Sequence, residues 1–419
     1  MLREIPRAGI PINYEELKTI IKKLSMRELV DGDDIEKFEN NFGDYVGSKC
    51  ALSVNKARTG LMVALQALSL KPREEVIVPA FTCPIVFEVV LRLGLKPVLV
   101  DVDPTTYNID PELVRKAVSS KSKVVVPIHM FGYPCDIAPI VEIAEQHELY
   151  VIENVAQALG AEYMKNKVGT YGDISVFSFG PGKNITSGQG GIITIKNDDL
   201  IQKVTNVQAN LLKPDIKDVV SSIRNILGMY VFSTPYLYWL IEERVEAETQ
   251  EEDTMTMKNL MTLMHEHKDS LYPTVQLKKM PNVCAAVADV QLKKIEKINQ
   301  ERVRNAEILT NQLRSMAEIH DYQIPKTDSH SRAVFTRYVV RVPQKRRDFI
   351  AKRLIKEGID VEKPYHFLER ILGSFGDFPC AKQLTRTLIT LPNQPTLSES
   401  ELNWISGVFK KISGEGLTG

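Results

Sequence analysis

The hydrophobic positions of this chain change period in a regular way. From Cys50 onward, short apolar runs of strand length alternate with longer stretches whose apolar residues recur every three or four positions. Strands are expected over Cys50–Val54, Glu75–Val78, Pro97–Asp101, Lys123–Ile128 and Tyr150–Ile152. Helices are expected between them, over Arg58–Leu70, Ile85–Leu93, Pro111–Val118 and Ile137–His147. Two more strand-like runs, Ile174–Phe179 and Gly191–Ile195, enclose a loop crowded with Gly, Pro, Ser and Asn. Two short amphipathic helices, Tyr14–Leu24 and Asp33–Tyr45, precede the series, the second opened by Asp33 or Asp34. Strands alternating with helices imply an α/β fold with a mostly parallel sheet covered on both faces.

After Asn197 the pattern changes. Ile226–Ile241 is rich in aromatics, carries no charge inside the run and is broken by Pro235; a charged, Met-rich, helix-prone stretch from Glu246 to Lys268 follows. A membrane span needs about 20 residues, so this shorter run reads as a buried or subunit-interface helix, with weak contact to a membrane surface as the alternative. A long helix is expected over Val283–Leu313. Ala333–Val342, a helix over Asp348–Glu357, a strand over Gly358–Val361 and a helix over Ser398–Lys411 then indicate a small α+β unit. Ser398 with Glu401 three residues on has the spacing of a capping box.

Composition narrows the class. The 419 residues are enough for two or three domains, and 43% hydrophobic with 25% charged residues is ordinary for a globular protein. Lys+Arg and Asp+Glu are both 53, which gives no global electrostatic reason to expect nucleic acid. Five scattered cysteines without a Cys-x-x-Cys pair argue for reduced thiols in a cytoplasmic protein, against a disulfide scaffold and against a zinc site. Met1–Tyr14 lacks the apolar core of a signal peptide.

In a parallel sheet, ligands sit beyond the carboxyl ends of the strands, so the loops Asn55–Thr59, Phe81–Pro84, Asn154–Gln157 and the one bearing Lys183 should converge. Lys183 lies among neutral residues in a glycine-rich loop held by two strands, and a desolvated amine loses its proton readily enough to form a Schiff base. Asn55–Thr59 forms a strand-to-helix turn where free amides and the helix dipole favour phosphate. Ser178 could add a hydroxyl there, while Asn154 and Gln157 could hold a ring nitrogen and a ring hydroxyl. His129 is expected to be structural, and His366 is a candidate for either the substrate pocket or packing. His265 and His267 do not share a helix face, so no metal site is expected.

Read in order, these segments resemble the DegT/DnrJ/EryC1/StrS family of sugar aminotransferases. The match is densest from Ala51 to Thr194, resumes at Met280–Leu292 and lapses over about Leu211–Leu277. The resemblance implies a pyridoxal 5'-phosphate (PLP) enzyme of fold type I with a seven-stranded sheet. It implies a large PLP-binding domain over 1–280, with a helical insertion at about 211–277, and a linking helix and smaller C-terminal α+β domain over 281–419. It implies an amino donor, glutamate in the first instance, a nucleotide-linked keto-sugar as acceptor, and a homodimer with the active site at the subunit interface. By the same resemblance Lys183 matches the Schiff-base lysine, Ser178, Ala57 and Arg58 the phosphate-binding groups, and Gln157 the group beside the phenolic oxygen. Cys83 stands where an aromatic usually stacks on the ring.

Three positions depart from the family pattern. Asn154 replaces the aspartate that faces the pyridine nitrogen, Gln189 replaces a glutamate, and Leu277 falls where many relatives have an asparagine reaching the neighbouring subunit's phosphate. A neutral amide cannot keep the pyridine protonated, so the ring becomes a weaker electron sink. Two alternatives follow: an elimination-type PLP reaction on the same fold, or a non-catalytic relative.

Overall fold

The computed structural model describes residues 5–6, 9, 12–232, 277–319, 322–326, 329–366, 368–373 and 375–415. A central sheet is built from β1 (Cys50–Val54), β2 (Glu75–Pro79), β3 (Lys96–Val100), β4 (Ser122–Val125), β5 (Tyr150–Asn154), β6 (Ile174–Ser178) and β7 (Gly191–Ile195). Its spatial order is β1-β7-β6-β5-β4-β2-β3. Pairings are parallel from β3 through to β6, and β7 runs antiparallel to both β6 and β1. The seven-stranded, mainly parallel sheet expected of a fold type I enzyme is therefore present.

Neighbouring residues on one strand enter different cores, because side chains alternate across a sheet. Val76, Val78, Val124, Ile152, Val176 and Ile193 pack on one face. Ile77, Val125, Val151, Phe177 and Ile192 pack on the other. Both faces are covered, which is why the strands read as continuous apolar runs. Connecting helices supply the cover: α3 (Ala57–Ala67), α4 (Ile85–Arg92), α5 (Pro111–Ala117), α6 (Ile137–Gln146) and α7 (Asp198–Ala209), with α1 (Tyr14–Met26) and α2 (Asp34–Val46) before them.

After the sheet come α8 (Ile216–Phe232), α9 (Asn282–Leu292), α10 (Ile295–Ile319), α11 (Arg347–Lys356), α12 (Leu368–Leu372), α13 (Pro379–Thr387) and α14 (Glu399–Gly414). A two-stranded antiparallel sheet joins β8 (Tyr338–Arg341) to β9 (Leu388–Leu391). The Ser398/Glu401 capping box opens α14. The single helix expected over Val283–Leu313 is instead two helices, interrupted at Lys293–Lys294. At the break, Gln291 and Lys294 both reach the buried Glu16 of α1, at 2.6 and 2.7 Å. Gly358–Val361 makes no strand; its contacts are isolated bridges such as Ile5 with Ile359.

The run Ile226–Ile241 is described as far as Phe232, the end of α8; its remainder and the stretch Glu246–Lys268 lie outside the described residues. Among the described residues no helix is long and apolar enough to cross a membrane.

Candidate active site

The parallel strands end on one edge of the sheet, and the loops that leave them there carry the candidate residues. Gly191 pairs with Val54 on one side and with Ser178 on the other, so strand register brings Ser178 beside the turn that opens α3. A Cβ on Gly191 would lie 2.6 Å from the Ala57 nitrogen and 2.8 Å from the Lys56 carbonyl carbon. Only glycine allows β7 to come this close. Lys56, at the start of α3, supplies no side-chain cap. The Arg58 Nε is buried and has no partner among the described residues. Ser178 Oγ has one long contact, 3.5 Å from the Gly180 amide that donates to it. Uncapped helix amides with an orphaned buried cation donor offer the donors and the charge a phosphate needs.

Lys183 lies in the loop between β6 and β7, half-buried, and makes no hydrogen bond or ion pair among the described residues. Burial lowers its amine pKa from the usual lysine value, and the positive charge of Arg337 lowers it further. Cys83, in the turn between β2 and α4, and Glu362 act in the opposite direction. A Cβ on Gly182 would lie 3.9 Å from Arg337 Nη2, which places that guanidinium over the loop. Arg337 and Glu362 form an ion pair.

Asn154 is the last residue of β5. Its backbone is fixed on the β4 side, where its N–H donates to the Pro127 carbonyl at 2.9 Å and its carbonyl accepts from the His129 amide at 3.2 Å. Its side-chain Oδ1 accepts from the Ala156 amide at 3.1 Å. Its neighbour Glu153 points to the opposite face and is fully buried. There it accepts from the amides of Gly169, Tyr171 and Gly172 at 2.8, 2.7 and 2.7 Å and from His129 Nε2 at 3.1 Å. Burial opposes ionisation of Glu153, but the His129 bond and these amides outweigh it and hold its pKa below the usual carboxylate value. His129 Nδ1 accepts from the Cys135 amide, so Nε2 carries the proton that Glu153 receives. His129 is thus a structural brace, as expected.

Gln157 is held at three points. Its Oε1 accepts from the Phe131 amide at 3.2 Å, its Nε2 donates to Tyr365 Oη at 3.0 Å, and its carbonyl accepts from Thr336 Oγ1 at 2.6 Å. Tyr365 packs against Phe81 and Phe131 with ring centroids 5.4 and 6.3 Å away. Thr336 also meets Asn184, next to Lys183, at 3.0 Å, and Asn184 donates to Asn299 of α10 at 3.2 Å. Beneath them lies Arg302, buried, bonded through Nη1 to the carbonyls of Thr336 and Asn393. Burial pulls its pKa down to about 10, and the charge of Arg337 adds to the effect. Two arginines against one facing carboxylate leave this region electropositive.

The sequence profile of the DegT/DnrJ/EryC1/StrS aminotransferase family matches residues 11–229 and 248–410. The chain belongs to that family. It is a PLP-dependent aminotransferase by membership, and the lysine loop, the helix turn and the amide-bearing end of β5 all fall within the matched segments. It is 41% identical over 181 residues to a GDP-perosamine synthase of Caulobacter vibrioides, covering 43% of this chain and 49% of that protein. It is 27% identical over 382 residues to the GDP-perosamine synthase of Escherichia coli O157:H7, covering 89% of this chain and 88% of the relative. Among solved structures, a Streptococcus pneumoniae protein assigned as a sugar aminotransferase, in its PLP form, superposes with a TM-score of 0.75 at 22% identity, covering 98% of both chains. That likeness shows the same fold.

Tyr365, Arg337, Glu362 and the Asn184–Thr336 pair were not apparent from sequence. Within Pro364–Tyr365–His366 attention falls on the histidine, yet His366 is exposed, with Nδ1 3.2 Å from the Lys363 carbonyl, while Tyr365 turns inward. Gln189 donates through Nε2 to the Asp218 carbonyl of α8 at 3.3 Å, a bond that a glutamate could not make. Leu277 packs against the core. His265 and His267 lie outside the described residues; among the described residues no cluster of three or more metal-ligating side chains occurs.

Proposed function

We propose that this family member transfers an amino group from an amino acid, L-glutamate in the first instance, to a keto-sugar carried on a nucleotide, using PLP held on Lys183. The observation that carries the reading is the desolvated Lys183 amine, without a hydrogen bond or ion pair among the described residues, in a loop whose flanking strand β7 packs at Gly191 against an α3 start with no side-chain cap and an Arg58 Nε unpartnered among the described residues. The residues present fit the cofactor. Ser178, Ala57 and Arg58 would hold its phosphate, Cys83 would pack against its ring, and Asn154 and Gln157 would hold the ring nitrogen and the phenolic oxygen. When bound, PLP supplies the electron sink that lets the donor's α-hydrogen leave as a proton. Lys183 Nζ, whose pKa burial lowers from the usual lysine value, attaches the cofactor and then accepts and returns that proton. Arg337 and Arg302 supply positive potential suited to an anionic substrate. The curated relatives named for nucleotide-sugar products support this substrate class.

We further propose that residues 1–280 form the cofactor-binding unit and 281–419 the linking helix and smaller unit. The enzyme acts as a cytoplasmic homodimer with its site at the subunit interface. The test is the absorption spectrum of the purified protein with PLP, followed through addition of L-glutamate. A visible band that is absent in Lys183→Ala and moves to shorter wavelength with the donor supports transamination. A Lys183-dependent band that no amino donor alters refutes it and favours an elimination-type reaction, which the Asn154 substitution motivates.

A further inference from the structure

The orientation of the Asn154 amide carries an inference about the protonation of the ring, resting on the PLP reading above. A backbone N–H can only donate. The Ala156 amide, 3.1 Å from the side chain, therefore fixes which end of the Asn154 amide is oxygen. The Nδ2 end is turned away from that turn and makes no hydrogen bond with any described residue. Turning the side-chain amide over would set Nδ2 against the Ala156 N–H, donor against donor, and the backbone from which it projects is held by N–H and carbonyl bonds on the β4 side.

Nor can a nearby carboxylate take over. Glu153 is one residue away and so faces the other side of the sheet. Its oxygens already accept three backbone amides and the His129 proton. The group presented at the end of β5 is thus an NH2, a pure donor. It complements a pyridine nitrogen that keeps its lone pair. Toward a pyridinium N–H it would set donor against donor.

We propose that Asn154 is a positioning residue that selects the unprotonated form of the cofactor's ring nitrogen, so that this enzyme works with a neutral pyridine. The weaker sink shifts more of the demand for proton removal onto Lys183 Nζ, whose pKa burial lowers. Asn154 Oδ1 has a second lone pair, and a pyridinium sharing that oxygen with Ala156 is the competing arrangement.

The experiment is 15N NMR of the full-length protein reconstituted with PLP labelled at the ring nitrogen, at neutral pH. The wild type is expected to resonate at the position of a neutral pyridine. Asn154→Asp should move the signal by the full pyridine-to-pyridinium difference, and Asn154→Ala should leave it neutral while the label is lost faster on dialysis. A pyridinium signal in the wild type, or an Asn154→Asp signal unmoved from a neutral wild type, overturns the proposal. If Asn154→Asp does not fold, the wild-type resonance decides alone. Label that fails to remain with the wild-type protein at all overturns the cofactor reading, an outcome distinct from a retained label with a protonated ring.

Discussion

Replacing Gly191 by alanine places a methyl group in the contact between β7 and the turn that opens α3. The new Cβ would stand 2.6 Å from the Ala57 nitrogen, 2.8 Å from the Lys56 carbonyl carbon and 2.9 Å from the Ala57 Cα. All three are backbone atoms, so no flexible side chain can yield. Overpacking of this kind typically costs about 1–3 kcal/mol of stability. The start of α3 must move to relieve it, and the proposed phosphate seat moves with it. Loss of one hydrogen bond to a charged group is worth about 1.5–3 kcal/mol, so PLP should bind about 10- to 150-fold more weakly. The assay pairs a PLP titration with a denaturant unfolding curve. Gly407→Ala in α14 is the control, because nothing lies within 4 Å of its added Cβ. That helix interior should gain about 0.5–1 kcal/mol, with PLP binding unchanged. A Gly191→Ala protein with wild-type affinity and an unchanged midpoint would refute the packing argument and the phosphate assignment together.

The charges over Lys183 predict opposite pH shifts. PLP attachment requires the neutral amine, so Arg337→Gln, which removes a charge that lowers the Lys183 pKa, should move the pH profile of cofactor capture upward. Glu362→Gln removes a charge that raises it and should move the profile downward; shifts of the same sign would contradict the placement of this pair. Glu153→Gln removes a buried charge from three amides and His129 and should destabilise the protein by about 3–5 kcal/mol, read by chemical denaturation. Because the folded pKa of Glu153 lies below its unfolded value near 4.5, its contribution is complete above that pH and lost as pH falls through the folded value. The gap between wild type and variant should therefore narrow in acid. Gln189→Glu faces an acceptor with an acceptor at the Asp218 carbonyl, and is expected to cost about 1–3 kcal/mol, with faster amide exchange in the first turns of α8.

How much was written in the chain differs from element to element. The alternation that begins at Cys50 determined the sheet, because strands covered on both faces must be continuously apolar and the helices between them must be amphipathic. The glycine-crowded loop singled out Lys183 for a local reason, and the Ser398–Glu401 box fixed the start of α14 by spacing alone. The departures Asn154 and Gln189 were equally plain, since each is a single substitution in an ordered motif. Tertiary structure decided what those residues do. The roles of Tyr365, Arg337 and Glu362 depend on bringing a distant segment over the Lys183 loop, and no local period encodes that approach. The break at Lys293–Lys294 coincides with contacts to Glu16, nearly three hundred residues earlier in the chain. The amide of Asn154 has no preferred direction in the sequence; the strand pairing that fixes its backbone, and the Ala156 turn that claims its oxygen, give it one.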